Sequence, residues 1–162
     1  MTRIVVAINI HRPIGAVFDY VTTPANWPAW HPASRAVSGS VDHSLLIGEQ
    51  VTEEFVAGGR RGSCVWQVTQ REMPYLWTIA TSTPQVQAEI TYRLKAHGEQ
   101  TFFEREFTYA TSGIWIWILD FFLMRRRMHR ESRIALEQLK ERLERPTSRD
   151  TVYIRLSNTK SR

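Results

Sequence analysis

Residues Gly113 to Glu144 read GIWIWILDFFLMRRRMHRESRIALEQLKERLE, without proline and with glycine only at the first position. From Met128 onward, Met128, Ser132, Ala135, Leu136, Leu139 and Leu143 recur three and four residues apart. That spacing places them on one stripe of a helix. Arg130, Arg133, Glu137, Lys140, Glu141 and Glu144 fall mostly on its other faces. Glu137 and Glu141 repel each other one turn apart, and Glu137–Lys140 and Glu141–Arg145 offset this weakly. Pro146 stops the helix. The first half, Ile114–Met124, is apolar nearly all round, and such a helix needs cover on every side. The rest of the chain must therefore wrap it.

The preceding residues supply the wrapping. Arg3–Ile10 alternates, with Ile4, Val6, Ile8 and Ile10 on one face, as a strand requires. Pro13 suits a first helical turn, and Ile14, Val17, Phe18 and Val21 follow at helical spacing. Thr22-Thr23-Pro24 breaks that helix; Thr23 is expected to cap a second short one that carries Trp27 and Trp30 and ends at Pro32. Strands are then expected over Arg35–Val41, Gly48–Ala57, Arg60–Arg71, Tyr75–Thr81, Val86–Ala96 and Thr101–Ala110. Gly58-Gly59 and His97-Gly98 serve as tight turns. Connections this short pair strands antiparallel. The order is α+β: about seven strands, two short helices near the start and one long helix near the end.

One chain of 162 residues fits one domain over residues 1–145 followed by a basic, flexible tail, 146–162, in which Thr151–Leu156 has the texture of a short strand. The net charge of +5 is concentrated in that tail, which attracts polyanions loosely; no nucleic-acid-reading motif accompanies it. The single cysteine, Cys64, rules out an internal disulfide and reads as a small strand filler. The N-terminus has no signal-peptide pattern, and Ile114–Met124 is about half the roughly 20 residues a spanning helix needs, so a cytoplasmic protein is expected. His11, His31, His43, His97 and His129 show no metal-ligand spacing, and no phosphate-binding loop is present; neither a metal nor a cofactor is expected.

Ile8, Ile10, Pro13, Val17, Phe18, Tyr20 and Val21, then Pro24, Asn26 and Trp30, then Leu139, Lys140, Leu143 and Glu144 together form a pattern. It resembles the polyketide cyclase/dehydrase-like members of the START-related (SRPBCC, Bet v 1-like) helix-grip superfamily, over roughly residues 3–145. The resemblance implies a curved antiparallel sheet gripping the long helix, with an apolar cavity between them. It also allows cyclisation or dehydration of a polyketide-like substrate.

Alternation assigns faces to that cavity. Ala88, Ile90, Tyr92 and Leu94 are expected inward, as are Phe103, Arg105, Phe107 and Tyr109. Tyr75, Trp77 and Ile79 are preferred inward over Leu76, Thr78 and Ala80, and Val51, Glu53 and Phe55 bring Glu53 with them. In Arg60–Arg71, Val65 and Gln67 compete with Cys64, Trp66 and Val68, and both assignments stay open.

The candidate ligand-binding set is Trp30, Glu53, Trp77, Ile90, Tyr92, Phe103, Arg105, Phe107, Ile118 and Phe122. A charge on an apolar wall is costly unless paired. Arg105 therefore pairs with Glu53, snorkels to the rim, or fixes a carboxylate or phenolate of a ligand. Trp27 and Trp30 read first as packing, and His31 as a surface histidine. The leading expectation is binding of a small hydrophobic or aromatic molecule such as a lipid, polyketide or aromatic metabolite, by a monomer or homodimer. The second is an enzyme using Glu53, Arg105, Tyr92 and His31. The third is membrane contact through Trp115, Trp117, Phe121 and Phe122 followed by Arg125-Arg126-Arg127.

Overall fold

The structure is a computed structural model that describes residues 1–57, 60–84, 86–111 and 120–145. The expected turn at Gly58-Gly59, the tail and the segment 112–119, with Trp115, Trp117 and Ile118, lie outside the described residues, as do the side chains of Phe121 and Phe122.

Strand β1 (Thr2–Ile10) buries Ile4, Val6 and Ile10 on its alternating face. Helix α1 (Ile14–Thr22) starts directly after Pro13, whose carbonyl accepts from Val17 N–H. Proline stands just before the first turn rather than in it. Thr23 does not cap the next segment. Its hydroxyl instead bonds back to the Asp19 carbonyl at 2.7 Å. The expected second helix is divided into a 3-10 turn, Pro24–Asn26, and the single-turn α2 (Trp27–Trp30).

Strands β2 (Ser34–Gly39), β3 (Gln50–Ala57), β4 (Arg60–Glu72), β5 (Leu76–Ser82), β6 (Val86–His97) and β7 (Gln100–Thr111) follow. Two expected ends move at glycines of positive φ: β2 stops at Gly39 (φ 101°), and β3 begins after Gly48 (φ 86°). Only glycine adopts that backbone without strain. Tyr75 belongs to the turn before β5 and is 58% exposed, so it does not join Trp77 on the inner face.

The seven strands form one antiparallel sheet in the order β1-β7-β6-β5-β4-β3-β2. Its inner face packs against α3 (Asp120–Glu144), which contributes Ala135, Leu136 and Leu139 to the core. The helical stripe read from Met128 onward is the stripe that turns inward: Ser132 is buried with those three, and Met128 and Leu143 are partly buried. On the outer faces Arg145 pairs with Glu141 at 2.6 Å, while Lys140 reaches Glu144 rather than Glu137. The end of β1 ties down the end of α3. His11 N–H donates to Glu144 Oε1 at 2.7 Å, and Arg12 donates to the carbonyls of Leu143 and Arg145. Those are helix-terminal carbonyls with no acceptor role inside the helix. Among the described residues no helix is long and apolar enough to cross a membrane.

Candidate functional site

Between the sheet and α3 lies a cavity of about 540 Å³. That is within the range of small-molecule sites. Its apolar wall includes Trp30, Trp66, Ile79, Ile90 and Phe107. Strand pleating puts these residues there. Ile79, Ile90 and Phe107 stand opposite one another across β5, β6 and β7. Trp66 and Val68 are buried while Val65 is 48% exposed, which settles the face of β4 that alternation left open.

The same pleating carries Arg105 inward. It is 4% exposed, beside Tyr92 on β6, with its guanidinium 5.6 Å from the centre of the Phe107 ring. Its Nη1 donates to Ser132 Oγ on α3 at a long 3.4 Å, and its Nε has no hydrogen-bond partner. Among the described residues no carboxylate forms an ion pair with it. The Arg105–Glu53 bridge, one of the three alternatives, is therefore not formed, and Arg105 does not reach solvent either. Glu53 lines the cavity but accepts from Trp66 Nε1 at 2.8 Å. Burial raises the Glu53 carboxyl above the usual carboxylate range, against the opposing pull of Ser34, Trp66 and the Arg105 charge. Burial likewise pushes the Tyr92 phenol up to about 12, although Arg105 favours its ionised form.

His31, read from sequence as a surface residue, is partly buried and lines the cavity. Both its ring nitrogens are shielded and unpartnered, and its ring meets Trp30 edge-on at 5.5 Å. Desolvation first, and the Arg105 charge second, hold the imidazole well below its ordinary value, so it is neutral near pH 7.

Of the candidate set, Trp30, Glu53, Ile90, Tyr92, Arg105 and Phe107 border the cavity. Trp77 and Phe103 share their face but sit behind it. Trp77 stacks on Tyr92 at 5.3 Å, and Phe103 meets the same ring edge-on at 5.2 Å. They form the backing of the wall, because the Tyr92 ring lies against both. Ile118 and the Phe122 side chain lie outside the described residues. Sequence reasoning missed Ser132 as a cavity group, reading it only as part of the helical stripe.

The family model described as polyketide cyclase / dehydrase and lipid transport matches residues 1–144. The chain belongs to this family. A relative, penitrem biosynthesis cluster 1 protein I of Penicillium ochrochloron, is 35% identical over 63 residues, 38% of this chain and 41% of that protein. The match thus spans well under half of that relative. A START superfamily protein from Mycobacterium smegmatis shares the fold at 11% identity and a TM-score of 0.69, over 87% of this chain and 98% of that one. BexL, a di-domain ARO/CYC from the BE-7585A biosynthetic pathway, shares it at 21% identity and a TM-score of 0.65, over 89% of this chain and 47% of BexL. These likenesses establish the helix-grip fold.

Family membership and fold point to hydrophobic ligand binding or cyclase activity. The cavity adds the chemistry available here: one fixed cation, a protonated phenol, a neutral imidazole and a carboxyl with raised pKa within an apolar wall. Cys64 also borders the cavity, but burial pushes its thiol up to about 12. The thiolate is the reactive form. Alkylation of Cys64 by iodoacetamide at pH 7.5 is expected to run at least about tenfold slower in the folded protein than in urea, measured by mass spectrometry.

Proposed function

We infer that this chain binds a small apolar or aromatic molecule bearing an acidic oxygen, a carboxylate or phenolate, in the cavity between sheet and α3. The observation that carries this reading is Arg105. A guanidinium stays charged in proteins. Leaving one buried without an ionic partner costs several kcal/mol, and its nearest described polar contacts are the neutral groups of Ser132 and Tyr92. An anionic ligand oxygen supplies the missing partner, and the aromatic wall takes the rest of the molecule.

Binding of anilinonaphthalene sulfonate, an aromatic anion, and its displacement by a fatty acid and by the matching fatty alcohol test this. Arg105→Met is expected to weaken the acid by roughly 10- to 100-fold, the value of a hydrogen bond to a charged group, and to leave the alcohol unchanged. Equal affinity of wild type and Arg105→Met for the acid would sink the assignment of Arg105.

A second reading, a cyclase/dehydrase-type enzyme acting on such a ligand, draws on Tyr92, His31 and Glu53 gathering around the same cation. In that reading Arg105 holds a developing enolate oxygen while Tyr92, His31 and Glu53 exchange protons with the substrate. Turnover of a poly-β-keto thioester analogue, lost in Tyr92→Phe or His31→Gln while dye binding persists, would favour the enzyme. The likeness to BexL, an ARO/CYC, supports including it.

A further inference from the structure

One glycine in the sheet faces the cavity wall for a reason that packing makes explicit. Gly62 on β4 stands opposite Phe55 on β3. Its backbone is not in the left-handed region, so nothing in its conformation demands glycine. Space does: a Cβ at position 62 would lie 2.7 Å from Phe55 Cζ and 2.9 Å from Cε2. The outer edge of the Phe55 ring therefore fills the place a side chain at 62 would take. Its cross-strand neighbour on the other side is the buried Ser34 of β2. The ring also lines the cavity, so a ring displaced from Gly62 has the cavity open to it.

Phe55 also stands at a particular end. It follows Glu53 on the same face of β3, roughly 7 Å further along the strand. Among the described residues it is the last of β3 to border the cavity. Arg105 and Tyr92 are cross-strand partners on β7 and β6, outside the β3–β4 hairpin.

We propose that Phe55, seated over Gly62, is the end-stop of the cavity and sets the longest apolar tail the protein accepts. The inference rests on the reading that the cavity takes an apolar ligand anchored at Arg105. A ligand whose acidic group sits on Arg105 extends along the apolar wall until it meets the Phe55 ring. A residue larger than glycine at 62 raises the ring and shortens the space; a smaller residue at 55 opens it. A purely architectural glycine, needed only to relieve crowding in the sheet, would change stability without changing which tail length binds best.

The test is displacement of anilinonaphthalene sulfonate by straight-chain acids from octanoate to hexadecanoate. It compares wild type, Gly62→Ala, Phe55→Ala and the double variant, with thermal melting as a check on folding. Each additional buried methylene is worth about fourfold in affinity until the tail reaches the stop. Wild type is expected to show a maximum along the series. Phe55→Ala is expected to move that maximum to longer acids, and Gly62→Ala to move it to shorter ones, with about a tenfold loss for the longest. In the Phe55→Ala background the Gly62→Ala loss is expected to shrink to within about twofold, because the ring that transmits it is gone. The same maximum in wild type and Phe55→Ala overturns the proposal, even where Gly62→Ala does not fold. An undiminished Gly62→Ala loss in the double variant overturns it too. If no acid displaces the dye from wild type, the cavity reading and the end-stop fall together. Displacement with an unaltered length profile removes only the end-stop.

Discussion

Trp77→Ala is expected to destabilise the fold by about 3–5 kcal/mol, the cost of emptying a large aromatic site in a packed interior. Trp77 is fully buried, stacks on Tyr92 and meets Trp27 edge-on with ring centres 6.3 Å apart. Its indole N–H also donates to the Leu45 carbonyl at 3.3 Å, tying the loop between β2 and β3 to the middle of the sheet. Domains of this kind are stable by only about 5–15 kcal/mol, so the loss is a large fraction of the total. Urea unfolding followed by circular dichroism measures it. Trp77→Phe keeps a ring against Tyr92 and removes the bond to Leu45, and is expected to cost about 1–3 kcal/mol. A Trp77→Ala loss no greater than that of Trp77→Phe would mean that the wall collapses to fill the gap and that the backing role is wrong.

Acidification below pH 6.5 is expected to destabilise the protein through His31. In the unfolded chain the imidazole takes a proton near 6.5, whereas in the fold burial and then Arg105 hold it well below that. Below 6.5 the unfolded state therefore binds more protons. Stability is complete above that value and falls as pH drops toward the folded one, by at most about 1.4 kcal/mol per pH unit. Glu53 acts with the opposite sign. Its carboxyl is raised above 4.5, so its contribution is present below 4.5 and is lost as pH rises through the folded value. Between the two, the slopes partly cancel. Urea titrations across this range in Glu53→Gln remove the contribution of that carboxyl, and adding His31→Phe is expected to flatten the acid limb. An acid limb unchanged by His31→Phe would assign the effect to another group.

The elements legible in the sequence are those whose period is uninterrupted. On β6, Ile90, Tyr92 and Leu94 are buried while Glu89, Arg93 and Lys95 are exposed, so alternation alone identified the inner face. On β7, Phe103 and Phe107 flank Arg105 at the same parity, and a strand cannot turn them inward without it. β4 was not readable in this way. Its register shifts between Val68 and Gln70, so one strand carries two phases, and Arg71 rather than Gln70 is the partly buried residue. Tyr75 looked like a continuation of the Trp77 face because its residue type suits a strand, but it precedes the strand. His31 follows a helix of a single turn, too short to show a period, and its burial comes from residues distant in sequence. The candidate site was thus legible where it rests on strand pleating. The contacts of Trp66 with Glu53 and of Arg105 with Ser132 required the strands and α3 to be assembled.

The placement of β1 between solvent and β7 sets the order in which the molecule can be made. Ile10 pairs with Thr101 and Thr2 with Tyr109, partners roughly ninety or more residues apart, a separation that slows pairing. The hairpins from β3 to β7 close locally and need no such search. On the ribosome β1 emerges before the other strands and lacks its pairing partner until β7 has followed, while the helix tied to its end comes later still. Until β7 has emerged the nascent chain therefore displays the apolar row Ile4, Val6, Ile8 and Ile10 to its surroundings, and such strands are what chaperones capture and what aggregates recruit. The period of greatest hazard for this fold lies between the synthesis of β1 and that of β7.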